Sequence, residues 1–202
     1  MSPILFIFIA FLSGSLPFSV WLGKLCLGVD VRRFGDGNPG ATNVLRAGNQ
    51  ALALLTLMLD VSKAAIPVGL AYHNLGMRGL PMFCIAIAPL LGHAFSPFLR
   101  FQGGKGVAAA LGIWIGLTLW KASLAGVLCV IVGYALFSVS GWAVMFALLG
   151  IFLTLLTWLP EPLFLGVLAG QTLILGWTHR HDLRQPPRLR AWLTRHLPGG
   201  RV

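Results

Sequence analysis

Charge is scarce in this chain. Charged residues make up 10% of its 202 positions, and only five of them are acidic. Cysteine is scarce too: Cys26, Cys84 and Cys129 stand alone in apolar stretches. That excludes a metal or redox spacing and leaves structural thiols. Low-complexity segments, internal repeats and any recognisable soluble domain are missing, and the two glycine-rich loops at 35–40 and 103–106 differ in sequence. The N-terminal run Ile4–Leu22 lacks the basic leader of a secretory signal and is broken by Ser13, Ser15 and Ser19, so it reads as a retained first span.

What is present is apolar sequence. Hydrophobic residues form 57% of the chain and fall in long runs, not in the stripes of a soluble amphipathic helix. The implied fold class is all-α, a polytopic membrane protein of about seven transmembrane helices in one domain over 1–202. Expected spans are 4–24, 51–71, 80–97, 107–120, 122–137, 142–159 and 162–177. Several fall short of the ~20 residues that cross a ~30 Å hydrocarbon core.

The formal charge of +10 points to anionic lipid and cytoplasmic loops, not nucleic acid. With seven spans and the N-terminus outside, Lys24, Arg32, Arg33, Arg46, Arg100, Lys105 and the arginines from Arg180 onward all lie inside. Only Arg78 and Lys121 lie outside, which satisfies the positive-inside rule and places the C-terminus in the cytoplasm. A basic tail over 180–202 follows. After Pro186-Pro187, its Leu189, Trp192, Leu193 and Leu197 recur at helical spacing among arginines. A short helix on an anionic membrane surface and a solvated basic tail both fit that pattern.

Five segments carry candidate chemistry. Gly14-Ser15-Leu16-Pro17-Phe18 interrupts the first span and reads as a packing kink. The loop Gly35-Asp36-Gly37-Asn38-Pro39-Gly40-Ala41-Thr42-Asn43-Val44-Leu45-Arg46 is a poor membrane segment but a suitable anion cradle. Glycine frees successive amides to converge on one oxyanion. Asn38, Thr42 and Asn43 add polar side chains, and Arg46 adds a fixed cation suited to phosphate. Thr42 and Asn43 are also candidates to begin the next helix, whose N-terminal amides favour anions.

Asp60 and Lys63 share one face of the second span, and the favoured reading is a pair that orients helices around a polar cavity. In the fourth segment, His93 ends a span and can act as acid, base or hydrogen-bond partner. It precedes Gly103-Gly104-Lys105-Gly106, a flexible turn with one cation that suits phosphate chemistry but lacks the spacing of a nucleotide P-loop. The fifth is Thr178-His179-Arg180-His181-Asp182-Leu183-Arg184, a juxtamembrane basic stop with no second ligand cluster to make a metal site.

These segments together resemble the PlsY family, the bacterial acyl-phosphate:glycerol-3-phosphate acyltransferases. The resemblance runs from Gly14-Ser15-Leu16-Pro17 through Asp30-Val31-Arg32, Gly37–Asn43, Arg46 and Asp60-x-x-Lys63. It ends with Gly92-His93-x-Phe95 and Phe101-x-Gly103-Gly104-Lys105-Gly106-Val107. It implies acyl transfer from acyl-phosphate to the 1-hydroxyl of glycerol 3-phosphate, with lysophosphatidic acid and phosphate as products. The implied setting is the bacterial inner membrane, with the active site facing the cytoplasm and a lipid-lined groove for the acyl chain.

The resemblance implies catalytic roles for His93, Lys105 and Arg46. It implies substrate contacts from Asp36, Gly37, Asn38, Gly40, Thr42, Asn43, Gly103, Gly104, Ser138 and Asp182, with no metal and no cofactor. Three departures stand out. Asp36 replaces the family serine, Asp182 replaces an asparagine and Gln185 an arginine. Ser138 is the best match to a later family serine, and the family's distal glutamate has no counterpart. A carboxylate beside a phosphate site repels the ligand unless it is protonated, paired with a base or turned away. A transporter of phosphate esters or phospholipids, and a non-catalytic paralogue that binds a lipid precursor, are the alternative functions.

Overall fold

The structure, a computed structural model, describes residues 2–194. Arg195, Leu197 and Arg201 of the expected basic tail lie outside the described residues. Those described are helical apart from loops and one isolated bridge between Phe137 and Leu189.

Each expected apolar segment coincides with helix. Among the described residues, four stretches are long and apolar enough to cross a membrane: Pro3–Leu27, Gln50–Asn74, Gly79–Leu99 and Ser140–Trp158. The first is α1 (Pro3–Ser15) and α2 (Phe18–Leu27), separated at Leu16-Pro17. Proline lacks an amide and pushes the preceding residue out of helical geometry, and Leu16 is accordingly extended at ψ 119°. A short α3 (Ala41–Arg46) precedes α4 (Gln50–Gly69), which continues through one π turn to Asn74. The third and fourth stretches contain α5 (Gly79–Ala94) and α8 (Ser140–Trp158). Three apolar helices are shorter: α6 (Val107–Thr118), α7 (Lys121–Leu136) and α9 (Pro162–Thr178).

Helix α5 is the hub. Its apolar window is 61% buried, against 39% for the other long stretches. Met82, Ile85, Ala86 and Leu90 are fully enclosed. Helix α1 lies directly on it because Gly14 faces the Pro89 backbone and Gly92 faces the Phe11 carbonyl, with no space for a Cβ at either place. Helix α6 meets α4 in the same way. Gly112 and Gly116 are one turn apart and sit on the Val61 and Ala65 carbonyls. Small residues at this spacing let two backbones touch, which supplies packing energy where lipid removes the hydrophobic drive. Large apolar side chains outside the core, including Leu54, Met58, Leu128, Ile131, Leu153 and Leu173, are exposed and form the lipid-facing belt.

One end of the bundle gathers the starts of α4, α6 and α8 and the ends of α5, α7 and α9. The polar loops meet there. At the opposite end, Tyr72 donates to Glu161 Oε2 at 3.1 Å, and the Arg78 guanidinium stacks 3.9 Å from the Tyr72 ring.

The start of the tail is docked. Ser138 N donates to the Arg188 carbonyl at 2.9 Å and Arg190 N to that of Leu136 at 2.8 Å. Trp192 Nε1 donates to the Ala135 carbonyl at 3.1 Å. A strap thus lies along the end of α7, and a one-turn helix, Ala191–Thr194, carries Trp192.

Candidate active site

The first polar loop is tied by its own side chains. Gly35 and Gly37 have φ of 57° and 74°, which glycine adopts without strain. Gly35 also faces the Arg46 guanidinium with no room for a Cβ. Asp36 Oδ1 accepts from Asn38 N at 3.2 Å and from Asn43 Nδ2 at 3.0 Å. The buried Asn43 amide donates to the Asn38 carbonyl at 2.9 Å, and its Oδ1 accepts from Arg46 at 3.0 Å.

The next helix opens one residue ahead of the two candidates, Thr42 and Asn43. Helix α3 begins at Ala41, after Gly40 as an extended N-cap without a side-chain bond. The reason is local: Asn43 turns inward to hold the loop, and Thr42 is exposed. No acceptor among the described residues takes the amides of Gly40, Ala41 and Thr42.

The second loop runs back along the end of α5. Arg100 and Phe101 are both left-handed, and Gly103 and Gly104 then donate to the Ala94 and His93 carbonyls at 3.1 and 3.0 Å. These two amides satisfy the helix end. The Gly103 and Gly104 amides are therefore committed to the end of α5, and these two residues place their neighbours. A Cβ on Gly104 would fall on His93 Nε2 and lie 3.0 Å from the Pro39 carbonyl.

Lys105 joins the loops. Its amide donates to Asn38 Oδ1 at 2.8 Å, and its carbonyl accepts from Thr178 Oγ1 at 2.9 Å. Its Nζ lies 3.0 Å from Asp36 Oδ2 and 3.0 Å from Asp182 Oδ2. Arg46 approaches the other oxygen of Asp36 at 3.9 Å. Asp182, on the short helix Arg180–Leu183, also accepts from Ser140 Oγ at 2.6 Å.

Ser138 is elsewhere. Its hydroxyl donates to the Arg188 carbonyl at 3.1 Å, because the strap pulls the α7–α8 junction that way. Ser140, the first residue of α8, occupies the place expected of Ser138.

Burial works to raise the Asp36 and Asp182 carboxyls. Hydrogen bonds win: Lys105 chiefly for Asp36, and Ser140 and then Lys105 for Asp182, leaving both below their ordinary value. Burial likewise works to lower Lys105, and its two carboxylate partners raise it above its ordinary value. All three are charged at neutral pH, so Asp36 is paired with a base and does not turn away.

Beneath this network lies a small hollow lined by Ser15, Asp60, Lys63, His93, Ser96 and Gly104, among others. His93 is buried, and its Nδ1 has no partner among the described residues. Lys63 Nζ lies 2.7 Å from Asp60 and donates to the Leu16 carbonyl at 2.8 Å, the group freed by the proline break. The kink of the first span and the Asp60–Lys63 pair are thus one device, and it walls the hollow.

His179, named in the fifth segment, was given no role in the site. It is 1% exposed, and its Nδ1 lies 2.9 Å from the Leu175 carbonyl. A carbonyl only accepts, so Nδ1 carries the proton and buried Nε2 presents a lone pair. Burial lowers its pKa, which favours the neutral ring. The available signals were its position directly after a span, beside Thr178, and its place in the motif that carries Asp182.

A family model described as glycerol-3-phosphate acyltransferase matches residues 4–186. The chain belongs to this family. Relatives named glycerol-3-phosphate acyltransferase include one from Aromatoleum aromaticum (strain DSM 19018 / LMG 30748 / EbN1), 40% identical across 92% of this chain and 93% of its own. Another, from Anaeromyxobacter dehalogenans (strain 2CP-1 / ATCC BAA-258), is 47% identical over 64% of this chain, and the match spans 66% of that relative. The crystal structure of PlsY (YgiH), an integral membrane glycerol 3-phosphate acyltransferase, in its glycerol 3-phosphate form, superposes with a TM-score of 0.84. It is 28% identical, and the match covers 98% of this chain and 100% of that one. Its lysophosphatidic acid form gives 0.80 over 91% of each chain, also at 28% identity. The family fold is thus a multi-pass, all-helical integral membrane fold, and the loops with the family motifs are those that meet at Lys105.

Proposed function

We propose that this chain transfers an acyl group from an acyl-phosphate to the 1-hydroxyl of glycerol 3-phosphate, releasing lysophosphatidic acid and inorganic phosphate. One observation carries the reading: Lys105 and Arg46, from separate loops, meet at the Asp36 carboxylate, at 3.0 and 3.9 Å. The forms in which PlsY has been crystallised, with glycerol 3-phosphate and with lysophosphatidic acid, lend support.

In the reaction the glycerol hydroxyl oxygen bonds to the acyl carbon. The carbon–oxygen bond to phosphate breaks, and the hydroxyl proton leaves with the phosphate. Lys105 and Arg46 stabilise the departing charge, and Asn38, Thr42 and Asn43 complete the polar shell. His93, beneath Gly104, orients the attacking hydroxyl or takes its proton. Asp182 and Ser140 position the second substrate. An acyl-phosphate already carries a good leaving group, so holding two substrates together supplies most of the catalysis and no covalent enzyme intermediate is needed. Seven spans, with the N-terminus outside, put this rim at the cytoplasmic face of the inner membrane. Most of the bases lie at that end, and Arg78 and Lys121 at the other.

The test is purified protein given labelled glycerol 3-phosphate with acyl-phosphate, acyl-CoA or acyl-carrier-protein donors, followed by product mass. Lysophosphatidic acid from acyl-phosphate alone is the expected result. Lys105→Ala should lower kcat by about 10²–10³-fold while the protein still inserts and folds. Uptake of glycerol 3-phosphate into sealed vesicles without any ester product would replace the enzyme with a transporter. Normal turnover by Lys105→Ala would remove its charge-stabilising role.

A further inference from the structure

The strap on α7 is held largely by its backbone, and much of its charge has no partner in the fold. Between Arg180 and Trp192 stand four arginines, Arg180, Arg184, Arg188 and Arg190, and one acid, Asp182. Asp182 is committed to Lys105 and Ser140. Among the described residues, no carboxylate pairs with any of these arginines. Arg180 stacks 4.7 Å from the Trp177 ring, and Arg190 Nε donates to the Tyr134 carbonyl at 2.7 Å. Arg184 and Arg188 are exposed, and nothing among the described residues engages their guanidinium groups.

The surroundings select the partner. The strap meets the end of α7, whose exposed Leu128, Ile131 and Val132 belong to the lipid-facing belt. Leu189 pairs with Phe137 and Trp192 donates to the Ala135 carbonyl, so both are brought to that helix end. They are nonetheless 49% and 55% exposed. Apolar rings and guanidinium groups side by side, at the end of a lipid-facing helix, suit the headgroup level of a bilayer. Clustered arginines next to a span attract acidic lipid.

We infer that the strap is a docking surface for the headgroups of anionic phospholipid in the adjoining leaflet, and that a seated headgroup clamps the α7–α8 junction. The clamp follows from the path of the chain. Docked, the strap holds Arg184, Arg188, Leu189 and Trp192 at the edge of the lipid belt. Detached, it loses that setting together with its bonds to α7, so lipid favours the docked form. In that form Ser138 binds the strap and Ser140 meets Asp182. Each arginine near an acidic surface raises affinity about fivefold. The inference stands whichever reaction the site performs.

Native mass spectrometry of the full chain, titrated with phosphatidylglycerol or with phosphatidylcholine, reads the affinity. Phosphatidylglycerol should bind more tightly. Arg184→Gln/Arg188→Gln should weaken its first site by about 20–30-fold and leave phosphatidylcholine unaltered. Arg33→Gln/Arg100→Gln removes the same charge from other exposed loops and should leave both lipids unaltered. Hydrogen exchange in bilayer discs reads the clamp. The Ser138 and Arg190 amides donate to the Arg188 and Leu136 carbonyls. Their exchange should slow when phosphatidylglycerol replaces phosphatidylcholine, and Arg184→Gln/Arg188→Gln should abolish the slowing.

If the double variant does not fold, Arg188→Gln decides alone, with a loss of about fivefold. Equal affinity for the two lipids, or full affinity for phosphatidylglycerol in the strap variant, overturns the docking surface. An equal loss in Arg33→Gln/Arg100→Gln overturns it too, because net charge would then suffice. Displacement of the lipid by inorganic phosphate would replace it with a site for soluble anions. Amide exchange indifferent to the lipid overturns the clamp.

Discussion

Replacing Asp36 by serine should tighten the hold on phosphate. Lys105 Nζ is shared between Asp36 and Asp182, each at 3.0 Å, and Arg46 leans on Asp36 from 3.9 Å. Two cations thus face two carboxylates, and the rim is close to neutral before any ligand arrives. A substrate phosphate must take Lys105 from a carboxylate that then repels it. An exposed ion pair contributes about 0.2–1 kcal/mol and a hydrogen bond to a charged group about 1.5–3 kcal/mol. The Asp36 side chain is 46% exposed and that of Lys105 is 24% exposed, which places their pair between those limits, at about 1–2 kcal/mol. Removing it should lower KM for glycerol 3-phosphate, and the inhibition constant for inorganic phosphate, by about 5–30-fold.

The assay is steady-state kinetics in detergent at low salt, repeated at high salt, where the difference should shrink. Asp36→Asn keeps an acceptor for Asn38 N and the Asn43 amide, so it separates charge from loop geometry. An unchanged or raised KM in both variants would refute the competition and make Asp36 a holder of the substrate hydroxyl.

Other perturbations test the framework. Gly104→Ala drives a Cβ onto His93 Nε2 and against the Pro39 carbonyl. About 1–3 kcal/mol of strain should follow, read as lost activity at a modestly lowered melting temperature. Lys63→Met strands the buried Asp60 carboxylate and the Leu16 carbonyl, and should cost about 3–5 kcal/mol by unfolding in detergent. The double change Asp60→Asn/Lys63→Met should recover most of the Asp60 share. The depressed Asp36 and Asp182 stabilise the cluster fully above their ordinary value of 3.8, and that contribution is lost as pH falls through the lower folded values. The contribution of raised Lys105 is complete below 10.5 and is lost as pH rises through its folded value. Cluster stability should therefore be flat across neutral pH, which a melting series at stepped pH will show.

Much of this architecture was legible in the linear chain because apolar runs announce themselves. The segments around 51–71, 80–97 and 142–159 appear as helices near those limits. The convergence of Arg46, Lys105 and Asp182 also followed from motifs at three span ends. Other features depend on contacts between distant residues. Ser138 and Ser140 lie two apart, and only the docking of residues 185–192 on α7 decides which hydroxyl meets Asp182. Gly103 and Gly104 look like anion donors until the end of α5 claims their amides. His179 resembles an ordinary flanking residue until the bundle closes around it. The kink at Leu16-Pro17 shows its purpose only when Lys63 reaches it across 47 positions of chain.

That last link has a consequence for biogenesis. The ribosome delivers Leu16 long before Lys63, so the first span enters the bilayer with an unclaimed carbonyl at its waist. Lipid offers no donor for it. Nascent chains stalled before residue 63 should therefore stay crosslinked to the insertion machinery, and chains stalled after α4 has emerged should be released.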